Sequence, residues 1–304
     1  MKVLKTTLIL FFLVLTSSIE AQQLPQFTQF MFNTISINPA YAGSREKLNL
    51  TALHRNQWSG LEGNPVTSTL SVHSPLRSNE KIGIGFSYIS DQLGFESTNY
   101  VYGDFSYTIP VSFETKLSFG LKAGGTNYSR PQIGDGSDPN LASVNNWTPN
   151  LGAGVYLTSD RWYTGFSAPR FFETDFNDGE FEGVDDISFY FTAGLVLDLS
   201  LDIKFRPALI TKFTDGAPAT YDLNAGFLAY ERFWFGASYR FNDASNFAGY
   251  MDYRVTKDVR IGYGYDLPRG DFRDSFGTSG THEVILIFEL GKREPGTFKS
   301  PRYF

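Results

Sequence analysis

The sequence predicts an all-β chain: a transmembrane antiparallel β-barrel of about fourteen strands, preceded by a short N-terminal helix or plug segment. Three observations carry this expectation. From about Leu48 to Leu290, apolar and polar residues alternate with period two, segment after segment. Charged residues are 19% of the chain and aromatic residues 16%, with 29 Phe, 17 Tyr and 29 Gly, a balance foreign to a helical enzyme and too apolar for a disordered chain. The connections between segments are short on one side and include all the long ones on the other, as in outer-membrane barrels.

The elements follow in order. Residues 1–21 read as a secretory signal peptide. Lys2 and Lys5 open it, Leu8 to Leu15 is an apolar run too short to span a bilayer, and Ala21 is a suitable cleavage residue. Residues 22–47 form a periplasmic or plug segment. Phe27, Phe30, Met31 and Ile35 fall at helical spacing, with Pro25 before them and Asn38-Pro39 after, which predicts one short helix at or in the periplasmic mouth. An extended tether with the same residues is the alternative.

Residues 48–290 are the barrel. Strands are expected to begin near Leu48, Val66, Lys81, Glu96, Glu114, Trp147, Trp162, Asp186, Leu201, Thr220, Phe233, Ser245, Asp258 and Thr281. Ile82, Ile84, Phe86 and Tyr88 alternate with Gly83, Gly85 and Ser87; Leu117, Phe119 and Leu121 alternate with Ser118, Gly120 and Lys122. A soluble sandwich would show the same local pattern, and the number of segments and their spacing favour the barrel. Trp58, Tyr107, Tyr128, Trp147, Trp162, Phe213, Tyr230 and Phe233 stand near segment ends and suit interfacial aromatic girdles. Three long connections, 129–146, 170–185 and 267–280, all fall on the expected outer side. A basic tail, 291–304, closes the chain.

The sequence holds little catalytic chemistry. With no Cys, thiol nucleophiles, disulfides and thiolate metal sites are excluded. No hydrolase, phosphate-loop or zinc-protease motif occurs, so the chain reads as non-enzymatic with no cofactor. His54, His73 and His282 lie in strands without a second ligand at metal spacing, so no metal site is expected. Oxygen donors in Asp135–Asn140 lack the order of a calcium loop and suit a polar outer loop. The net charge of −6 argues against nucleic acid as a partner. The informative groups are charges inside strands: Arg55, Lys204, Arg206, Lys212, Asp222, Arg240, Asp252, Arg254, Arg260, Asp266 and Glu283. An Arg or Lys facing lipid at the midplane would cost about 2–4 kcal/mol, so these should face inward. Arg55, Lys212, Asp222, Arg240, Asp266 and Glu283 are the candidate polar network of the lumen, either structural or a surface for a partner or solute.

The stretch Gln26–Asn33, followed by Ile37-Asn-Pro-Ala-Tyr-Ala-Gly43, resembles the start of mature PorP/SprF-family proteins. The similarity continues through Arg55-Asn-Gln-Trp58 and Gly63–Thr67. It resumes at Asp222-Leu-Asn224, Gly236–Arg240, Ile261–Asp266 and Thr281-His-Glu283, and ends at Ser300–Phe304. The resemblance implies a cell outer-membrane protein of the type IX secretion system of Bacteroidetes. It implies support of secretion or surface anchoring of large cargo such as adhesins, gliding adhesins among them, through the cargo's C-terminal domain. It also implies contact with secretion machinery. It carries no catalytic residues. A passive channel or hydrophobic-solute transporter is the alternative.

Overall fold

In the computed structural model, residues 26–134, 142–175, 184–214, 217–241, 246–268 and 270–291 are described. The signal-peptide stretch, the tail beyond residue 291 and the Asp135–Asn140 donors lie outside them. The strands are β1 (Leu48–Asn56), β2 (Val66–Leu76), β3 (Asn79–Leu93), β4 (Glu96–Pro110), β5 (Lys116–Arg130), β6 (Val144–Thr158) and β7 (Trp162–Ala168). They continue with β8 (Ser188–Leu195, resuming at Leu197–Asp198), β9 (Ile203–Thr214), β10 (Thr220–Ala229), β11 (Phe233–Phe241), β12 (Phe247–Arg254), β13 (Val259–Leu267) and β14 (Thr281–Leu290). Each pairs antiparallel with its sequence neighbours, and β1 pairs with β14 from Leu48↔Leu290 to Asn56↔His282, so the sheet closes as a 14-strand barrel. Closure leaves no free sheet edge, which a bilayer requires because no water is there to satisfy one.

Alternation builds the two faces. Ile84, Phe86, Phe105, Phe119, Leu121, Phe191, Leu223 and Phe235 point out and are exposed. Ser87, Asp104, Ser106, Ser118, Lys122, Thr192 and Asn224 point in and are buried. Trp147, Trp162, Tyr107, Phe213, Tyr230 and Phe233 are exposed at strand ends, as a girdle requires. Tyr128 departs from the girdle expectation. It faces the lumen, 2% exposed, because its position in β5 shares the inward parity of Lys122 and Thr126. No helix among the described residues is long and apolar enough to cross a membrane.

The connections define two ends. Tight turns such as 77–78, 159–161 and 230–232 sit at the turn end. The longer connections, β1–β2, β5–β6, β7–β8 and β13–β14, leave and rejoin the barrel at the loop end. The last of these carries a short helix, α1 (Gly270–Phe276), and the third a two-residue strand pair, Thr174–Asp175 with Val184–Asp185. In outer-membrane barrels the turn end is periplasmic.

Residues 26–47 lie inside the barrel. They form three 3-10 turns, Phe30–Phe32, Thr34–Ser36 and Pro39–Tyr41, instead of one helix. The reason is local: Asn33 and Asn38 sit between the turns, the Asn38 side chain accepts from the Ala40 N–H, and Pro39 brings no N–H to continue a ladder. Phe27, Phe30, Met31 and Ile35 are all buried, as their spacing suggested.

Candidate functional site

The plug and the wall around it make the site. Inward glycines admit the plug. A Cβ placed on Gly83, Gly120 or Gly154 would stand closer than 3.0 Å to Ala42, Ala40 or Asn38 respectively, and one on Gly85 or Gly262 would crowd Ile35 or Gln29. In a strand, such glycines mark close approach of another backbone. Alternating Gly on β3, β5, β6 and β13 is therefore a cradle for the plug.

Near the loop end, the plug is clipped through its backbone. The N–H groups of Thr28 and Gln29 donate to the two oxygens of Glu283, at 3.0 and 2.8 Å. Arg55 donates to Asp266 at 2.7 Å, to Glu283 at 3.2 Å and to the Thr28 hydroxyl at 3.2 Å; that hydroxyl donates to Asp266. Arg55, Asp266 and Glu283 are at most 2% exposed. A buried charge of this kind holds only when paired and hydrogen-bonded, which each of the three is.

Farther along, Phe32 lies under two guanidiniums. Arg260 and Arg206 sit 4.8 and 4.9 Å from its ring centroid, and both also stack on Trp234. Asp252, on β12, is buried on the same lumen side, 1% exposed. Asn33 bonds Thr69 and Ser71 across β2, each at 3.1 Å. Lys122 pairs with Asp104 at 2.7 Å and donates to Ser87 and to the Ile35 carbonyl. Asn38 donates to the Val155 carbonyl at 3.1 Å, and Ser106 to that of Ala42 at 2.7 Å.

At the turn end, the Gly43 N–H donates to His73 Nδ1, which fixes that ring as neutral with its proton on Nε2. Tyr41 packs edge-on against His73 and Tyr156. Arg45 closes on Glu289, and Lys116 on Glu46 at 2.6 Å. A polar recess opens beside Ser44, lined by Glu114, Lys116 and Asp160.

Of the six residues named from sequence, Arg55, Asp266 and Glu283 meet in one cluster. Arg240 and Asp222 pair at 3.1 Å on adjacent strands, and Lys212 stands 5.9 Å over the Tyr190 ring. All six are buried on the lumen side. Lys204 and Arg254 lie instead at the turn-end rim, where they reach Asp198 and the Glu231 carbonyl. His54 and His282 point to the outer face and bond Ser68 and Tyr263. Sequence reasoning missed the Asp104–Lys122 pair and Arg170, which stacks on Tyr100. Parity alone would have placed Asp104 and Lys122 inside; Arg170 lies past the end of β7 and had no periodic signal. Among the described residues no group of three or more His, Asp or Glu is set to hold a metal. The arrangement fastens a plug.

A family model described as "Type IX secretion system membrane protein PorP/SprF" matches residues 19–288. No curated protein matches by sequence. Among solved structures, the fold is similar to the outer membrane protein Omp33 of Acinetobacter baumannii, at 11% identity and TM-score 0.45, covering 81% of this chain and 98% of that one. It is also similar to the Ralstonia pickettii toluene transporter TbuX, at 9% identity and TM-score 0.49, covering 84% and 92%. The CymD monoaromatic hydrocarbon channel matches at 10% identity and TM-score 0.48, covering 89% and 95%.

Proposed function

The chain belongs to the PorP/SprF family of type IX secretion system membrane proteins, located in the outer membrane, and on that basis we propose that it supports secretion and surface anchoring of large exported proteins. Family membership implies contact with the secretion machinery, and the family is not an enzyme family. In our reading the loop end receives cargo, through a C-terminal domain of an adhesin-like protein, and the turn end faces the periplasmic machinery.

The observation that carries the reading is the filled lumen. Lys122 and Arg206, which would line an open pore, are each 1% exposed beneath the plug, and Glu283 is 0% exposed. A barrel occupied in this way is suited to holding and docking, and poorly suited to passing a solute. The similarity to hydrocarbon channels is one of fold, at identities near a tenth.

The test is a comparison of surface and medium proteins between parent and deletion strain. The expected result is loss or shedding of one or a few large surface proteins, restored by the gene. An unchanged surface with altered uptake of a small solute would replace this reading with that of a channel.

A further inference from the structure

We infer that the plug is threaded outward, so that its amino end opens at the cell surface among the loops and its carboxyl end alone lies at the periplasmic mouth. Strand β14 measures the thread. Thr28 and Gln29 are held by Glu283, the third residue of that strand from the loop end, and Arg45 by Glu289, the last but one at the turn end. Six residue steps separate the two carboxylates along the strand, about 20 Å at the usual strand rise. Every other fixing agrees in order. Gln26 donates at 2.9 Å to Thr220, the first residue of β10 at the loop end. Lys122, near the middle of β5, meets Ile35; Gly83 and Ser106, in the turn halves of β3 and β4, meet Ala42. Glu46 then reaches Lys116, the first residue of β5 at the turn end.

Chain sense and wall height therefore run together from Gln26 down to Lys47, and β1 starts where the plug leaves. With the turn end periplasmic, Gln26 stands on the outer side. The segment expected at the periplasmic mouth thus reaches across the barrel and contributes its amino end to the same end from which the connections β1–β2, β5–β6 and β13–β14 leave. This inference uses the thread and the orientation of the barrel, and it does not need the cargo reading.

The absence of native cysteine makes the test clean. Single variants Gln26→Cys, Phe95→Cys at the loop end and Phe113→Cys at the turn end are exposed on intact cells to a membrane-impermeant maleimide; Phe95 and Phe113 are both fully available, at 70% and 110% exposure. The expected result is labelling of Gln26→Cys together with Phe95→Cys, and of Phe113→Cys only after the outer membrane is permeabilised. Labelling of Gln26→Cys only alongside Phe113→Cys overturns the inference. Gln26 is half-buried, so a second measurement covers poor reactivity. The pair Gln26→Cys/Thr220→Cys, whose native side chains meet at 2.9 Å, is expected to be joined by a short homobifunctional thiol cross-linker in the folded, heat-modifiable barrel, and a folded barrel that is never joined overturns the thread. Exchange of the two control patterns would overturn the orientation, and with it surface exposure. Loss of cargo binding alone would touch neither measurement.

Discussion

At Arg55 one guanidinium serves two carboxylates and a plug hydroxyl, with no solvent to share the load. Replacing it by Leu keeps the strand parity and leaves Asp266 and Glu283 buried together without their cation. Breaking such a pair costs about 3–5 kcal/mol. We expect Arg55→Leu to lower the temperature at which the detergent-solubilised barrel loses its heat-modifiable gel mobility. Arg161→Ala, which removes an exposed partner of Asp198, should leave it in place. An unchanged midpoint for Arg55→Leu would mean that the cluster does not hold the plug. These residues were visible in sequence as charges on the polar parity of strands. Their pairing was not, because Arg55 and Glu283 are 228 positions apart and alternation carries no information about which strands meet.

At the scale of elements, strand starts were legible to within three residues: the expected Trp147, Ser245 and Leu201 became Val144, Phe247 and Ile203. Period two is set by the pleat and survives any neighbour. The plug was less legible. Helical spacing of Phe27, Phe30, Met31 and Ile35 identified its buried side, yet a 3-10 turn buries the same residues over so short a span. The cradle was hidden in the glycines, which read only as the small members of a polar face. Two expectations follow. Gly120→Val sets a branched side chain against Ala40, so the plug should become cleavable by added protease in the purified barrel while the strands stay intact; equal resistance to wild type would refute the cradle. On the opposite face of β3, Phe86→Arg should cost about 2–4 kcal/mol in urea unfolding from lipid bilayers, as for any cation near the midplane. A neutral result would mean that this face does not meet lipid.

For the molecule as a whole, the filled lumen predicts an electrical property. In planar bilayers the wild-type barrel should show no stable large openings, and Gly120→Val should show intermittent ones. Steady conductance from wild type would favour the channel alternative. Outer-membrane location and barrel class were legible because they depend on patterns summed over the chain. Cargo was not, since the surface that meets it is built from connections without period.

The seam where the first strand meets the last adds a consequence for the plug. Arg55 stands on β1, Glu283 and Glu289 stand on β14, and the plug lies against all three. The segment that precedes the first strand is therefore fastened by the last strand. A sideways parting of the wall at β1 and β14 would draw Arg55 away from Glu283, so the cluster that clips the amino end of the plug also bridges the seam.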